Sequence, residues 1–243
     1  MIVDINGMEM YWEESGEGEP LLWLHGAMGS GSDWKYLSEK PLDGYRLIAP
    51  DLRGHGASTN PSGEFTFRQC GRDVIALLDH LRIAKCKAIG LSGGGIALLH
   101  VATAEPNRIE KMIIVSALPY FPAQTRHAMK HISETVLGPE EMERMRKRHK
   151  HGEPKIRQLI AMTRAWADIY DDVNFTPPYL STITAETLIV SGDRDPLYPV
   201  SIAFDLHQAI PNSSLWIVPK GGHGPIFGDH ALHFLAMALQ FLG

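Results

Sequence analysis

The segment Gly90-Leu91-Ser92-Gly93-Gly94 constrains the fold of this chain more than any other feature. Residues 86–89, Cys-Lys-Ala-Ile, predict a buried strand before it, and the mainly apolar residues 96–102 predict a helix after it. Glycines two positions on either side of a serine indicate a sharp turn, at which strand and helix crowd together and bulky side chains are excluded. A turn this tight pushes the Ser92 hydroxyl outward and places the N–H groups of the first helical turn beside it.

Two later segments also place polar side chains directly after predicted core strands. The sequence Gly192-Asp193-Arg194-Asp195-Pro196 follows the apolar run at 187–191, and Gly221-Gly222-His223-Gly224 follows the run at 214–218. A serine, an acidic residue and a histidine therefore occur in this order, each after a predicted strand. The order is informative because unrelated folds that use these three residue types for nucleophilic catalysis place them in different orders.

Composition and charge narrow the class of protein. The chain has 243 residues, of which 44% are hydrophobic and 21% charged, and these fractions are typical of soluble enzymes. The net charge of −5 argues against nucleic acid as the main partner. The two cysteines, Cys70 and Cys86, do not make a disulfide framework, so we expect a buried free thiol at Cys86 and a reducing compartment.

The first residues and the apolar runs predict a cytoplasmic protein without membrane contact. Residues 1–7 carry an acid where a secretory signal needs a base, and they have no apolar core. No apolar run approaches the length of a membrane span. We therefore predict a small-molecule substrate, with neither nucleic acid nor membrane as a partner, and leave the oligomeric state open.

Predicted strands alternate with predicted helices along most of the chain. This alternation predicts an α/β fold with a mostly parallel eight-stranded sheet and helices on both faces. Asn6-Gly7 predicts a hairpin and hence an antiparallel edge. Residues 119–184 interrupt the alternation, because they are helical by composition and rich in Met, Arg and His. We predict a core domain of residues 1–118 and 185–243, with 119–184 inserted as a helical cap over the carboxyl ends of the strands.

Five segments together resemble the α/β-hydrolase fold family. They are His25-Gly26, Asp51-Leu52-Arg53-Gly54-His55-Gly56-Ala57-Ser58, the turn at Ser92, residues 192–199 and Gly222-His223. The resemblance covers the chain apart from the cap and points to the capped serine esterases and lactonases of that family. It implies catalysis by a serine, an acid and a histidine, without a cofactor.

Ser92 is the predicted nucleophile. A serine hydroxyl is a weak nucleophile at neutral pH and needs a base within hydrogen-bonding reach. His223 is the predicted base, because its glycine-rich loop presents the imidazole freely and histidines titrate near neutral pH. Asp193 and Asp195 both remain possible from the residues alone as the acid that orients the imidazole. The spacing usual in the family, three residues after the glycine, implies Asp195 and leaves Asp193 as a turn residue.

The resemblance also implies an oxyanion hole, made by the backbone N–H groups of Ala27 and Gly93. Many relatives carry a bulky residue after the nucleophile, so Gly93 departs from the commoner pattern and leaves extra room beside the serine. His25 is expected to brace the loop that contains Ala27 rather than to react.

The cap and the loop before it supply the predicted substrate contacts. We predict that Met28, Tyr120, Trp166 and Tyr170 line an apolar pocket, with packing inside helices as the alternative role for the cap residues. The basic run at 144–151 follows a run of acidic residues. Acidic residues early in a helix and basic residues late in it compensate the helix dipole, so this pattern predicts a helix with a solvated charged face. An anion-binding surface is the alternative. His149 and His151 stand two apart without partner ligands, so no metal site is predicted.

These assignments predict hydrolysis of carboxylic esters, lactones included, through an acyl-enzyme formed on Ser92. A carbon–carbon bond hydrolase and a cofactor-free perhydrolase are alternatives, because both resemble this scaffold and use the same three residue types. A small-molecule receptor that keeps the fold without turnover is an alternative of another class.

Overall fold

A computed structural model describes residues 1–40 and 42–243. Its strands are β1 (Ile2–Ile5), β2 (Met8–Ser15), β3 (Glu19–Leu24), β4 (Tyr45–Pro50), β5 (Cys86–Leu91), β6 (Ile109–Val115), β7 (Glu186–Gly192) and β8 (Ser213–Val218). Its α-helices are α1 (Phe67–His80), α2 (Gly93–Ala104), α3 (Ala123–His131), α4 (Glu134–Arg148), α5 (Gly152–Ala165), α6 (Pro177–Leu180), α7 (Val200–Ala209) and α8 (Ala231–Leu242). Short 3₁₀ turns occur at Gly31–Tyr36, Trp166–Asp168 and Gly228–His230.

The strands form one eight-stranded sheet in the order β1-β2-β4-β3-β5-β6-β7-β8. Strands β1 and β2 are antiparallel to their neighbours, and every pair from β3–β4 to β7–β8 is parallel. The predicted fold class and the predicted antiparallel edge are both confirmed. Asn6 and Gly7 make the hairpin turn with φ values of +48° and +75°, which Asn and Gly tolerate better than other residues.

Helices cover both faces of the sheet, which explains why the central strands are mainly apolar. On one face Leu22 of β3 packs with Leu77 of α1 and Leu98 of α2. On the other face Trp23, the next residue of β3, packs with Phe234 of α8. Successive residues of a strand point to opposite faces, so a strand buried on both sides carries no polar face.

Helices α3–α6 lie between β6 and β7, within the segment predicted as the cap. A separate apolar cluster holds this region together and includes Met142 and Met145 of α4, Ile156, Leu159 and Ile160 of α5, and Met28 from the loop after β3. Helix α4 is broken at Gly138, whose φ of +77° is left-handed, and Pro139 follows. Met28 therefore joins the sheet domain to the helices above it, and the boundaries at 119 and 184 stay a prediction.

Both cysteines are buried free thiols, as expected for Cys86. Burial raises the pKa of Cys86 to about 12, so this thiol is unreactive at neutral pH. No helix in the part of the chain that the structure describes is long and apolar enough to cross a membrane.

Candidate active site

Ser92 occupies a strained turn between β5 and α2. Its backbone has φ +51° and ψ −114°, a conformation that residues with side chains rarely adopt. A Cβ atom on Gly94 would collide with the carbonyl oxygens of Leu24 and His25, and one on Gly90 would lie 2.7 Å from the carbonyl oxygen of Gly94. These close approaches explain the two flanking glycines and keep the serine at the surface of the turn.

The structure brings Ser92, His223 and Asp195 into one chain of hydrogen bonds. His223 Nε2 lies 2.9 Å from Ser92 Oγ, and His223 Nδ1 lies 2.8 Å from Asp195 Oδ2. The other carboxylate oxygen, Asp195 Oδ1, accepts the backbone N–H groups of Leu197 and Tyr198 at 2.8 and 3.0 Å. Because Nδ1 keeps its proton and donates a hydrogen bond to the carboxylate, Nε2 is unprotonated and can accept the proton of the Ser92 hydroxyl.

The geometry separates the two acidic candidates. Burial raises the pKa of the Asp195 carboxyl, but the hydrogen bond from His223 and the two N–H donors outweigh burial, so its pKa lies below the usual value. Asp195 is therefore a carboxylate at neutral pH. Asp193 is exposed and lies outside this chain of hydrogen bonds.

Ala27 and Gly93 lie side by side next to the serine. The nitrogen of Ala27 is 3.3 Å from where a Cβ atom on Gly93 would stand, and both residues line the same cavity as Ser92. Gly93 begins α2, where the first N–H groups have no acceptor within the helix. The arrangement is therefore suited to holding a negatively charged oxygen.

His25 connects the loop that contains Ala27 to the loop after β4. Its Nε2 accepts the N–H of Leu52 at 2.9 Å, and its Nδ1 lies 2.7 Å from the carbonyl oxygen of Gly26. Burial lowers the pKa of His25 to about 3, so the ring is neutral and fixed in one orientation.

His149 fastens the end of α4 to the same region, a contact that the sequence did not indicate. Its Nδ1 accepts the N–H of Gly56 at 2.9 Å, and its Nε2 donates to the carbonyl oxygen of Met28 at 3.1 Å. Burial lowers the pKa of His149 to about 4. A neutral imidazole with one donor and one acceptor nitrogen is needed for both bonds.

Lowering the pH should therefore lower the free energy of unfolding, because His149 becomes protonated. Unfolded histidine takes up a proton near pH 6.5, whereas folded His149 does so only near pH 4, so stability is fully present above pH 6.5 and falls as the pH drops towards 4. Between pH 8 and pH 5 the free energy of unfolding should fall in the wild type by about 2 kcal/mol more than in His149→Gln, because glutamine does not titrate.

Urea denaturation at both pH values measures this difference. Glutamine offers one donor and one acceptor but does not titrate. His151→Gln is the matched control, since His151 is exposed and two residues away, and it should follow the wild type. Parallel pH curves for the wild type and His149→Gln would contradict the assignment.

A cavity of about 440 Å³ adjoins the serine, between the sheet domain and helices α3–α5. Ser92, His223, Ala27 and Gly93 line it. The other lining side chains are mainly apolar: Met28, Phe67, Leu91, Ala128, Met129, Ile132, Val136, Leu137, Trp166 and Leu197. Ser92 and His223 therefore face a space that suits hydrocarbon or aromatic groups.

Two of the four predicted substrate contacts need correction. Met28 and Trp166 line the cavity, but Tyr120 and Tyr170 are absent from the lining that the described residues form. The Tyr120 hydroxyl lies 3.3 Å from Asp205 at the surface, and Tyr170 is 64% exposed with its ring 3.7 Å from the Arg126 guanidinium. The Tyr120 hydroxyl and the Tyr170 ring therefore both meet polar partners outside the cavity, which composition did not reveal.

The prediction that the basic run at 144–151 forms a solvated face also needs correction, at Arg148. Arg144, Arg146 and Lys147 are exposed as expected. Arg148 turns inward, with Nε 2.9 Å from Asp33 and Nη1 2.7 Å from Glu141. A cleft of about 650 Å³ beside His223 is lined by these charged groups, which are already paired with one another.

The described residues hold no cluster of three or more His, Cys, Asp or Glu side chains that suits a metal ion. Along the chain, Ser92 comes first, Asp195 second and His223 third, and this order is the one found in one family of hydrolases. A model of the alpha/beta hydrolase family matches residues 21–238, most of the chain.

The chain belongs to the alpha/beta hydrolase family. Among curated relatives of this hydrolase, the serine hydrolase BPHL of Mus musculus is 30% identical over 233 residues, which cover 91% of this chain and 79% of the relative. The pimeloyl-[acyl-carrier protein] methyl ester esterase of Aliivibrio salmonicida is 26% identical over 258 residues, which cover 96% of this chain and 95% of the relative.

Solved structures of hydrolases share the fold. A thermophilic esterase from Thermogutta terrifontis superposes with a TM-score of 0.79 at 22% identity, covering 100% of this chain and 98% of the esterase. At this identity the likeness shows the fold, and the activity has to be argued from the site.

Proposed function

We propose that this hydrolase cleaves carboxylic esters, lactones included, through an acyl-enzyme formed on Ser92. The observation that carries the proposal is the chain of hydrogen bonds from Ser92 through His223 to Asp195. Ser92 and His223 line a mainly apolar cavity. The methyl ester esterase among the relatives supports the same reaction class.

In the first half of the reaction Ser92 Oγ attacks the ester carbonyl carbon. Its proton passes to His223 Nε2, 2.9 Å away, and the carbonyl oxygen becomes an oxyanion. The N–H groups of Ala27 and Gly93 hold that oxyanion. The Asp195 carboxylate stabilises the imidazolium, which then gives its proton to the departing alcohol.

In the second half water replaces the alcohol. His223 removes a proton from the water as it attacks the acyl carbon, and the second tetrahedral intermediate collapses when Ser92 Oγ leaves with the proton from Nε2. The products are a carboxylic acid and the free enzyme. A lactone follows the same route, except that its alcohol stays covalently attached to the acyl group.

The cavity walls indicate the substrate class. Thr125 and Thr163 line the cavity, but both hydroxyls donate to backbone carbonyl oxygens, of Leu197 at 2.6 Å and of Leu159 at 3.0 Å. His131 and Glu141 also line the cavity, and Glu141 is already paired with Arg144 and Arg148. The rest of the wall is mainly apolar, so an ester with an uncharged hydrocarbon or aromatic group fits this cavity better than one with an anionic group.

A substrate panel tests the proposal. Turnover of p-nitrophenyl acetate and butyrate, and of a γ-lactone, is measured beside a carbon–carbon cleavage assay on a vinylogous diketone and a peracid assay with acetate and hydrogen peroxide. Ester or lactone turnover above the other two activities supports the proposal. Higher turnover of the diketone or of peroxide would overturn it in favour of the alternative reaction classes.

Filling the cavity should change the preference for acyl chain length. Ala128 of α3 lines the cavity, so Ala128→Trp removes space from it. Each buried methylene contributes about 0.8 kcal/mol, a factor of roughly four in kcat/KM. Butyrate has two more methylenes than acetate, so we expect the wild type to prefer butyrate by about 15-fold, and Ala128→Trp to lose this preference.

The ratio of kcat/KM for the two p-nitrophenyl esters measures the effect. Ala123→Trp is the matched control, because Ala123 lies on the same helix but is exposed and outside the lining that the described residues form. An unchanged ratio in Ala128→Trp would show that the acyl group binds elsewhere.

A further inference from the structure

The apolar cavity and the charged cleft meet beside His223. Ala27, Glu141 and His223 line both spaces. Ser92 belongs to the lining of the cavity and, within the described part of the chain, not to that of the cleft. An ester extends to both sides of its carbonyl carbon. A substrate at Ser92 with its acyl group in the cavity therefore directs its alcohol part past His223, which has to protonate the alcohol oxygen, and into the cleft.

The carboxylates that line the cleft already have hydrogen-bond donors. Glu141 Oε1 accepts from Arg148 Nη1, and Glu141 Oε2 accepts from Arg144 Nε, both at 2.7 Å. Asp33 Oδ1 accepts from Arg148 Nε at 2.9 Å, and Asp33 Oδ2 accepts from the backbone N–H of Ser30 at 3.2 Å. Each oxygen of the two carboxylates therefore has a partner from the protein itself.

The two guanidinium groups keep N–H donors that these bonds do not use. Arg144 donates through Nε, and Arg148 donates through Nε and Nη1. To the residues that it describes, the structure shows no bond from either Nη group of Arg144 or from Nη2 of Arg148. Both side chains line the cleft, so a molecule bound there can reach these donors. Spare N–H donors on cations favour a group that accepts hydrogen bonds and carries negative charge.

We propose that the cleft binds the alcohol part of an ester, and that this part carries an anionic group such as a carboxylate, which Arg144 and Arg148 recognise. The inference rests on the proposed function, because it requires an ester whose acyl group occupies the cavity. The two halves of the substrate then differ in chemistry, with an uncharged acyl group and an anionic alcohol. Guanidinium groups suit this role because their planar N–H groups match the two oxygens of a carboxylate.

Two butyrate esters that differ in one group of the alcohol test the proposal: 4-carboxyphenyl butyrate is anionic, and 4-carbamoylphenyl butyrate is a neutral ester of similar shape. The readout is the ratio of kcat/KM for the anionic ester to that for the neutral ester. We expect Arg144→Gln to lower this ratio about three- to fivefold, as the loss of a solvent-exposed ion pair does. Salt at about 0.5 M should lower the wild-type ratio as well, because it screens exposed charges. Arg146→Gln is the matched control, since Arg146 is exposed on the same helix but outside the cleft lining that the described residues form.

Glu141→Gln should have the opposite effect on the same ratio. The substitution removes the negative charge that both guanidinium groups bind, but it keeps an amide oxygen that can still accept a hydrogen bond. We expect the ratio to rise about threefold, because one unit of repulsion at a distance of a few ångströms in a solvated cleft is lost. Glu143→Gln is the matched control and should keep the wild-type ratio, since Glu143 is exposed and does not belong to the cleft lining that the described residues form.

Ratios that stay within about twofold of the wild type in both Arg144→Gln and Glu141→Gln would overturn the proposal. The p-nitrophenyl esters of adipic acid and of its monoamide place the charge on the acyl part instead. A shift between these two esters without a shift between the two butyrates would also overturn it, because the cleft would then hold the acyl group. A wild type that hydrolyses p-nitrophenyl butyrate keeps the proposed function when this inference fails, whereas a wild type that hydrolyses none of these esters loses both.

Discussion

Replacing Ser92 with alanine is expected to lower kcat for p-nitrophenyl butyrate by a factor on the order of 10⁶, as the loss of a nucleophile does in other serine hydrolases. The substitution removes the only atom that can form the acyl-enzyme in this mechanism, while His223, Asp195 and the N–H groups around the oxyanion remain. Steady-state kinetics with thermal unfolding measured alongside tests the expectation. Retained ester cleavage would show that another residue attacks the substrate.

Ser116→Ala is the matched control for this substitution. Ser116 is buried, has a φ of +46°, and its hydroxyl has no partner among the residues that the structure describes. It differs from Ser92 in lying outside the cavity lining formed by those residues. We expect Ser116→Ala to keep wild-type kcat, so a loss seen only in Ser92→Ala belongs to the chemistry and not to the loss of a buried hydroxyl.

Replacing Asp195 with asparagine should lower kcat by about 10³- to 10⁴-fold, as the loss of the orienting acid does in other serine hydrolases. The N–H groups of Leu197 and Tyr198 hold one oxygen at this position, so the amide oxygen stays there and the amide NH₂ group faces His223 Nδ1. A donor at that place forces Nδ1 to accept and moves the ring proton to Nε2. Nε2 can then no longer take the proton of Ser92.

Asp193→Asn is the control for Asp195→Asn, and it also tests the choice between the two acids. Asp193 is exposed, and its side chain lies outside the hydrogen-bonded chain, so kcat should stay within about twofold of the wild type. KM should change little in either variant, because neither acid lines the cavity. A larger loss in Asp193→Asn than in Asp195→Asn would reverse the assignment.

The sheet and the turn at Ser92 were predictable because local sequence determines them. The strands that are covered on both faces are mainly apolar, and Asn6-Gly7 fits only a few turn types. The glycines around Ser92 stand where a Cβ atom would collide with backbone. The family spacing led to Asp195, which the structure places beside His223.

The cavity walls were harder to predict, because they depend on how helices from distant parts of the chain pack. Tyr120, Tyr170 and Trp166 are all aromatic residues of the predicted cap, yet only Trp166 faces the cavity in the structure. Nothing local distinguishes them, since exposure is decided by partners such as Asp205 and Arg126. A helical period predicts which residues share a face but not what that face meets.

Tyr198 and His149 were missed for related reasons. Tyr198 follows Asp195 by three residues, but the contact of its ring with His223 arises from a loop 25 residues further along the chain. His149 ends a run of basic residues, and its bonds to Gly56 and Met28 join three separate segments. Local sequence patterns do not identify such contacts, because each contact forms between segments that are distant in the sequence and meet only in the folded protein.

The role of Ser92 as the nucleophile can be tested with a fluorophosphonate, which forms a stable adduct with an activated serine. Intact mass is measured after reaction of the wild type, Ser92→Ala and Ser116→Ala, and the adduct is then located by peptide mapping. We expect a single adduct on Ser92 in the wild type and in Ser116→Ala, and none in Ser92→Ala. An adduct that persists in Ser92→Ala, or no adduct in folded wild type that turns over esters, would contradict this role.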